Sequence, residues 1–347
     1  MNKNKRPTIA CIAKQAHLSV ATVDRVLNAR APVSPETAQR VFEAAEAIGY
    51  YAAHLFGERI KKNKPNYHLG FLLLGTSQEF YQNLSEAITE EARNCSKATV
   101  TCHIDYIFNR SPLLIASQIN QLAEQCHGMA LVCFDHPLIS QAVEHARQKG
   151  VHVVSLLSDI SSQMTLPYVG LDNWEVGRTA GWLIAQGSSS KQGSVGMLLG
   201  GHRFLGHEAR KAGLKSFFQE KAPGFQVLEP IINMDNEAVT EEATLELLSR
   251  HPDLRGIYVA GGGNDGVLSA LALTPEPPPL CIILNESTRL SRQALRQELI
   301  SLVIDSQPAL LAKAVVDLLV ELPTSQQSLS SSHQALIPLQ ILTPENV

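Results

Sequence analysis

Residues 8–50 read TIACIAKQAHLSVATVDRVLNARAPVSPETAQRVFEAAEAIGY, and their apolar residues recur at the three- and four-residue spacing of short helices. Thr8, Ser19 and Ser34 each precede one of three apolar stripes, and a hydroxyl residue in that place is a typical helix N-cap. Pro35 at the first helical position supports the third start. The segment therefore predicts three short helices, the first two joined by a tight turn as in a helix-turn-helix.

In a helix-turn-helix, residues near the start of the second helix face the bases of the major groove. Val20 and Ala21 are small apolar groups that suit a thymine methyl, and Arg25 can grip a guanine with two hydrogen bonds. Polar side chains nearby are candidates for phosphate contacts, which position the protein without reading the sequence. These candidates are Thr8, Thr22 and Asn28.

The charge of the chain is unevenly distributed. Residues 1–64 carry eleven Lys and Arg against five Asp and Glu, a net charge of +6, whereas the rest carries 18 against 28, a net charge of −10. A basic head on a larger acidic body is typical of a nucleic-acid-binding module joined to another domain. Chance clustering of surface lysines is the alternative.

These 43 residues resemble the N-terminal domain of the lactose-repressor (LacI) family of bacterial transcription factors. The resemblance rests on residues at fixed spacing: Ala13, Val20, Ala21, Thr22, Val23, Arg25, Val26, Asn28, Val33, Ser34, Thr37, Gly49 and Tyr50. It implies that the head binds double-stranded operator DNA, with Thr37 as a further contact residue. Asp24 stands where the family usually has serine. Because phosphate repels a carboxylate, we expect Asp24 to orient Arg25 or another basic side chain.

The resemblance also implies a hinge helix that inserts a leucine into the minor groove and kinks the DNA. In the matching residues 51–66, Arg59 stands at the leucine position, Ile60 follows it, and Gly57 weakens a helix. Ile60 is the predicted wedge after a change of register. Leu55 is an alternative, and so is a hinge that acts by charge alone.

From residue 67 to the C-terminus, buried strands alternate with amphipathic helices, beginning with YHLGFLLLG and EFYQNLSEAITEEARN. This alternation indicates parallel sheets covered by helices, and about 280 residues exceed what one sheet holds, so two lobes are expected. The body resembles the core domain of the same family, an α/β two-lobed periplasmic-binding-protein-like (type I) fold related to ribose-binding proteins. The predicted fold is thus a small all-α helix-turn-helix head followed by this α/β core with parallel sheets.

The expected domains are a DNA-binding head, a hinge and an effector-binding and dimerisation domain, at residues 1–50, 51–66 and 67–347. Lobe 1 is expected at about 67–168 and 286–323, and lobe 2 at about 169–285 and 334–347. Crossings between the lobes are expected near 167–171, near 285–288 and in the Ser-rich loop that begins at residue 323.

Ligands of such sheets bind beyond the carboxyl ends of the strands. Phe80 and Tyr81 match the family's aromatic pair that stacks on a sugar ring, Gln78 lies at a polar contact position, and Arg210 matches its ligand-contacting arginine. Other polar residues that follow strands are Asp135, Asp172, Asn264, Glu286 and Asp305. Carboxylates, amides, one arginine and stacking aromatics suit a polyhydroxylated effector, a sugar or polyol. The alternatives are core packing for the two aromatics and helix capping for Asp172, Asn264 and Asp305.

The sequence thus predicts a ligand-responsive DNA-binding regulator, a repressor of a sugar or polyol operon that releases its operator when effector binds between the lobes. A homodimer on a near-palindromic operator is expected, with a tetramer as the alternative. A nucleoside- or purine-responsive regulator of the same family is the second reading. A sugar-binding solute-binding module is the third, disfavoured by the basic head and by a start, MNKNKRPTIA, without a signal peptide.

No phosphate loop, nucleophile elbow or metal-ligand spacing of cysteines and histidines occurs in the chain. We therefore expect no enzyme activity, no cofactor and no metal site. No apolar run approaches the roughly 18 residues of a membrane span, so the expected location is the cytoplasm, without membrane attachment.

Overall fold

The computed structural model describes residues 7–28, 30, 33–53, 64–75, 79–275, 278–324 and 334–347. The described residues fall into two compact units, one within Met1–Tyr67 and Ala92–Thr101 and the other within His68–Glu91 and Cys102–Val347. Most of the expected hinge, including Ile60, lies outside the described residues. No helix within the described ranges combines the length and apolar character needed to cross a membrane.

The first unit begins with the three predicted helices, α1 (Ile9–Ala16), α2 (Val20–Asn28) and α3 (Pro35–Ala47). The Ser19 hydroxyl accepts the backbone N–H of Thr22 at 3.1 Å, and the Ser34 hydroxyl accepts that of Thr37 at 3.3 Å. Both N-caps are therefore confirmed. Thr8 precedes α1 without a side-chain capping bond.

The three helices enclose a small core. Ile12, Val23, Val41 and Ala45 are completely buried, one or two from each helix. The guanidinium of Arg40 on α3 donates to the carbonyl of Ala16 at the end of α1, at 2.8 Å. This bond satisfies a helix-terminal carbonyl that has no partner within α1 and ties α3 to it.

The second unit contains two sheets. The first has the strand order β12-β5-β4-β3-β1-β2, and each pairing of β1 with β3, β3 with β4, β4 with β5 and β5 with β12 is parallel. The bounds are β1 (Asn66–Leu74), β2 (Thr99–Ile107), β3 (Gly128–Leu131), β4 (His152–Leu156), β5 (Tyr168–Gly170) and β12 (Gln334–Leu336). Its helices are α4 (Glu79–Asn94), α5 (Pro112–Ala123), α6 (Pro137–Gln148) and α12 (Pro308–Glu321). This sheet and its helices are called lobe 1.

The second sheet has the order β13-β11-β10-β9-β6-β7, with β8 also paired to β6, and all its pairings are parallel except that of β11 with β13. Its strands are β6 (Gly193–Leu199), β7 (Phe225–Val227), β8 (Ile231–Ile232), β9 (Leu254–Val259), β10 (Cys281–Asn285), β11 (Leu302–Asp305) and β13 (Gln340–Leu342). Its helices are α7 (Asn173–Gly187), α8 (Leu205–Lys221), α9 (Glu237–Arg250), α10 (Asn264–Ala272) and α11 (Arg289–Arg296). These elements form lobe 2, and the predicted fold class is confirmed.

Two of the expected lobe boundaries need correction. We expected residues 286–323 in lobe 1, but β11 pairs with β10, Leu302 opposite Ile283, so the chain stays in lobe 2 until Asp305. We expected residues from 334 onward in lobe 2, but β12 pairs with β5 in lobe 1, so the third crossing follows Leu336. Alternation along the sequence predicts the order of strands, whereas the sheet that a strand joins depends on long-range pairing.

Candidate functional sites

The first candidate site is the exposed face of α2. Val20 is 52% exposed at the start of the helix, and Ala21 and Arg25 are also exposed. Val23 on the opposite face is buried in the core of the head. The three residues predicted to read bases are therefore accessible on a helix whose other side is anchored.

The polar side chains predicted to contact phosphate are held by local hydrogen bonds. The hydroxyl of Thr22 lies 2.8 Å from that of Ser19, and the hydroxyl of Thr37 lies 2.8 Å from that of Ser34. The hydroxyl of Thr8 lies 3.3 Å from the Cys11 sulfur. These hydroxyls sit at or next to helix N-termini, where backbone N–H groups also favour phosphate.

Asp24 has a basic partner, as expected, but the partner is Arg30. Oδ2 of Asp24 accepts from Nη1 of Arg30 at 3.2 Å, and Oδ1 accepts from the side-chain amide of Asn28 at 2.7 Å. The carboxylate therefore holds a predicted phosphate contact and a cation together at the end of α2.

The second candidate site is a cavity of about 470 Å³ within the second unit. Its lining comes from segments that follow β1, β3 and β4 in lobe 1 and β6, β8, β9 and β10 in lobe 2, so it lies at the carboxyl ends of both sets of strands. Five of the predicted effector contacts line it: Phe80, Tyr81, Arg210, Asn264 and Glu286. Gln78 lies outside the described residues.

Aromatic rings form part of the wall. The rings of Phe80 and Tyr81 meet edge to face with centroids 5.1 Å apart, and Phe80 is only 3% exposed. Burial raises the pKa of the Tyr81 hydroxyl above its usual value, so it remains a neutral donor. Phe204 adds a further ring on the lobe 2 side.

Arg210 is buried on α8 and fixed by two hydrogen bonds. Its Nε–H donates to Oδ1 of Asn173 and an Nη1–H to the carbonyl of Ala260, each at 2.7 Å. Helices α7 and α8 approach closely here: a Cβ on Gly177 would lie only 1.9 Å from the Arg210 carbonyl oxygen. The glycine thus lets the backbone of α8 come near enough for Asn173 to orient the guanidinium.

Two carboxyl groups lie at the ends of β10 and β11. Glu286 accepts from the backbone N–H of Ser306 at 3.1 Å and from its hydroxyl at 2.7 Å. Burial and the nearby charge of Asp305 raise the pKa of Glu286 to about 7, and burial also raises the pKa of Asp305. Glu286 faces the cavity, whereas Asp305 lies behind it and accepts the N–H of Ser287 at 3.0 Å.

Three of the predicted contact residues are not part of the cavity lining: Asp135, Asp172 and Asp305. Asp172 accepts the N–H groups of Trp174 and Glu175 at 3.0 Å, so the capping alternative accounts for it. Asp135 accepts the N–H of Ser161 at 2.9 Å.

The cavity also contains residues that sequence reasoning missed, among them His207, Asp235 and Asn285. His207 stands one helical turn before Arg210, and that i, i+3 spacing could have revealed it. Asp235 follows β8, a strand of only two residues that periodicity along the chain does not reveal. Burial lowers the pKa of His207 to about 4, so its ring is neutral at physiological pH.

Several buried polar atoms in the cavity wall and in the core of lobe 2 have no hydrogen-bond partner among the described residues. They are Nδ1 of His207, Oδ1 of Asn264, both polar side-chain atoms of Asn285, and the Tyr258 hydroxyl. The first three residues line the cavity. An unsatisfied buried group costs about 1–3 kcal/mol, which a ligand offering both donors and acceptors would recover.

Family profiles match both parts of the chain. Residues 69–327 match the family described as a periplasmic binding protein domain. Residues 8–52 match the one described as bacterial regulatory proteins, lacI family.

Curated relatives are similar over about three quarters of the chain. The ribose operon repressor of Halalkalibacterium halodurans is 24% identical over 269 residues, covering 73% of this chain and 71% of the relative. The transcriptional regulator GalS of Salmonella typhimurium is 26% identical over 272 residues, covering 77% and 74%. The regulator GntR of Pseudomonas aeruginosa is 25% identical over 254 residues, covering 73% and 71%.

Solved structures share the fold of the body. A solute-binding protein from Burkholderia graminis in complex with D-arabinose has a TM-score of 0.72 at 20% identity, covering 82% of this chain and 97% of that one. Another from Actinobacillus succinogenes with bound D-allose has a TM-score of 0.69 at 17% identity, covering 81% and 98%.

Proposed function

Since this chain belongs to the LacI family of bacterial regulatory proteins and carries a periplasmic binding protein domain, we propose that it is a sugar- or polyol-responsive repressor. The head binds operator DNA, and an effector in the cavity between the lobes changes operator affinity. The observation that carries the proposal is the presence in one chain of an exposed recognition helix and a cavity with unpaired buried polar atoms.

DNA binding is supported by the charge and exposure of the head. Residues 1–64 have a net charge of +6, which favours contact with the phosphate backbone. Val20, Ala21 and Arg25 are the proposed base-reading residues, because all three are exposed on α2. Thr8, Thr22, Asn28 and Thr37 are the proposed phosphate contacts.

A polyhydroxylated effector is supported by the chemistry of the cavity wall. A sugar hydroxyl donates one hydrogen bond and accepts another, and the wall offers unpaired groups of both kinds on Asn285 alongside the arginine and carboxyl groups. Phe80, Tyr81 and Phe204 supply apolar surface for the CH face of a ring. A volume of about 470 Å³ lies within the usual range for small-molecule sites.

We further propose that the effector is an inducer that releases the operator and that the protein acts as a homodimer on a near-palindromic site in the cytoplasm. Two-fold symmetry would place one recognition helix in each half-site, about one helical turn of DNA apart. No catalytic role is proposed for the cavity.

A thermal-shift screen of the full-length protein tests the effector class. The panel contains D-ribose, D-allose, D-arabinose, D-galactose, sorbitol, D-gluconate and adenosine. We expect a sugar or polyol to raise the melting temperature, because a ligand at 100 times its Kd adds about 2.7 kcal/mol to the stability of the folded state. A shift with adenosine alone would overturn the sugar assignment in favour of a nucleoside effector.

A further inference from the structure

One ion pair crosses from lobe 1 to lobe 2 beside the cavity. Arg110, which follows β2 in lobe 1, donates from Nη2 to Oδ2 of Asp235, which follows β8 in lobe 2, at 2.7 Å. Its Nη1 donates to the carbonyl of Gly200 at 3.3 Å, and the guanidinium lies 5.8 Å from the centre of the Phe204 ring. All three partners of Arg110 belong to lobe 2.

Asp235 is held firmly in the cavity wall. Its side chain is 4% exposed, and its Oδ1 accepts the N–H of Gly262 at 2.7 Å. A Cβ on Gly200 would lie 2.0 Å from that oxygen, so the carboxylate occupies space that only glycine leaves. Met234 and Asp235 both have φ of 54°, a left-handed conformation that non-glycine residues adopt at an energetic cost.

Separation of the lobes would take the Arg110 cation away from this buried carboxylate. Loss of the cation is costly on the Asp235 side, because that carboxylate is 4% exposed and stays desolvated, whereas Arg110 is 31% exposed. A second charged contact crosses the same cleft, since both carboxylate oxygens of Glu79 accept the N–H of Arg289, at 2.9 and 3.0 Å. Both contacts favour the closed arrangement. Glu79, Arg289 and Asp235 line the cavity, whereas Arg110 does not.

We propose that the Arg110–Asp235 pair is a clasp that holds the two lobes closed over the effector cavity, with Arg110 as a positioning residue that does not contact the effector. The clasp rests on the proposed function in one respect, namely that closure of the lobes is the step the effector controls. It sets the fraction of closed molecules and thereby the apparent effector affinity.

Three amide protons that take no part in the Arg110–Asp235 pair report closure. The N–H of Asp135 donates to the carbonyl of Arg203, that of Gly206 to the hydroxyl of Ser158, and that of Arg289 to Glu79. Each bond joins lobe 1 to lobe 2, so each amide exchanges with solvent faster when the lobes open.

The test is hydrogen–deuterium exchange of the full-length protein without ligand or DNA, comparing wild type with Arg110→Gln. We expect exchange at the three reporter amides to accelerate about tenfold or more, because the buried Asp235 carboxylate loses its bond to the cation from lobe 1. The matched control is Arg147→Gln, which breaks a partly buried ion pair with Glu144 that lies wholly within lobe 1. That variant should leave the reporters unchanged, and Arg110→Lys should restore part of the protection.

Asp235→Asn completes a double-mutant cycle. It also replaces Arg110→Gln as the test of the clasp if Arg110→Gln does not fold. The single change should accelerate the same amides, and adding it to Arg110→Gln should accelerate them little further. Unchanged exchange at the reporters in Arg110→Gln would overturn the clasp. Equal acceleration at the core amides of β3 would overturn it too, since the residue would then serve stability alone. Because no sugar is present, failure of the effector screen does not alter these outcomes.

Discussion

Arg210 on α8 donates its Nε–H to Oδ1 of Asn173 on α7, at 2.7 Å, inside the wall of the cavity. Asn173 directly follows Asp172, which caps α7 instead of lining the cavity. Of the two polar residues that follow β5, Asp172 caps the helix and Asn173 orients Arg210. Arg210 is oriented by protein groups on one side and lines the cavity on the other.

Arg210→Ala is expected to abolish the response to effector while operator binding persists, because the guanidinium lies in the effector cavity and far from the head in sequence. It also leaves Asn173 and Ala260 without a buried donor, so the free energy of unfolding should fall by about 2–4 kcal/mol. Fluorescence anisotropy with labelled operator and urea unfolding measure the two effects. Loss of operator binding as well would identify a folding defect.

Arg25→Ala should remove most of the discrimination between operator and random DNA. A bidentate arginine–guanine contact is worth about 1–3 kcal/mol, a factor of about 5 to 150 in relative affinity. Selection from a random DNA library followed by sequencing gives the operator and the preference of each variant. Exposed Lys14→Ala on α1 is a matched loss of one charge. An unchanged preference in Arg25→Ala would take this residue out of the base-reading set.

Asp24→Ser should alter operator preference, because Asn28 and Arg30 lose the carboxylate that holds them together. The expected change in relative affinity is a factor of about 2 to 5, as an exposed ion pair is worth about 1 kcal/mol or less. Asp24→Asn is the control that keeps an acceptor for Asn28 and removes the charge. If library selection returns the same sequences for wild type and Asp24→Ser, the residue is a tolerated surface substitution.

Glu286→Gln should change how stability depends on pH. The pKa of Glu286 is about 7 in the folded protein, above the ordinary value of 4.5, so its contribution to stability is complete at low pH and lost as pH rises through 7. Between pH 5 and pH 8, Glu286→Gln should therefore gain about 2 kcal/mol relative to wild type. Urea unfolding at both values measures this, and a pH-independent difference would contradict the raised pKa.

The sequence predicted the local features well. The caps at Ser19 and Ser34 depend only on neighbouring residues, and the structure confirms both. Phe80, Tyr81 and Arg210 were predicted from the family resemblance, and all three line the cavity. Asp24 was expected to meet a basic group, and Arg30 is close to it in sequence.

Features that depend on long-range pairing were not predictable. Glu286 follows β10 and Asp305 ends the neighbouring strand β11, yet only Glu286 lines the cavity and Asp305 packs behind it. Asp235 was missed because β7 and β8 are separate strands that pair with different parts of β6. Periodicity along the chain predicts neither the position of Asp305 behind the cavity nor the separation of β7 from β8.

Fluorescence anisotropy of a selected operator with wild-type protein measures effector-controlled operator binding directly. With D-ribose, D-allose, D-arabinose, D-galactose or sorbitol added in turn, we expect at least one compound to weaken operator binding about tenfold or more. The same compound should leave Arg210→Ala bound to the operator. If adenosine changes the operator affinity and no sugar or polyol does, control of operator binding by a sugar or polyol is contradicted.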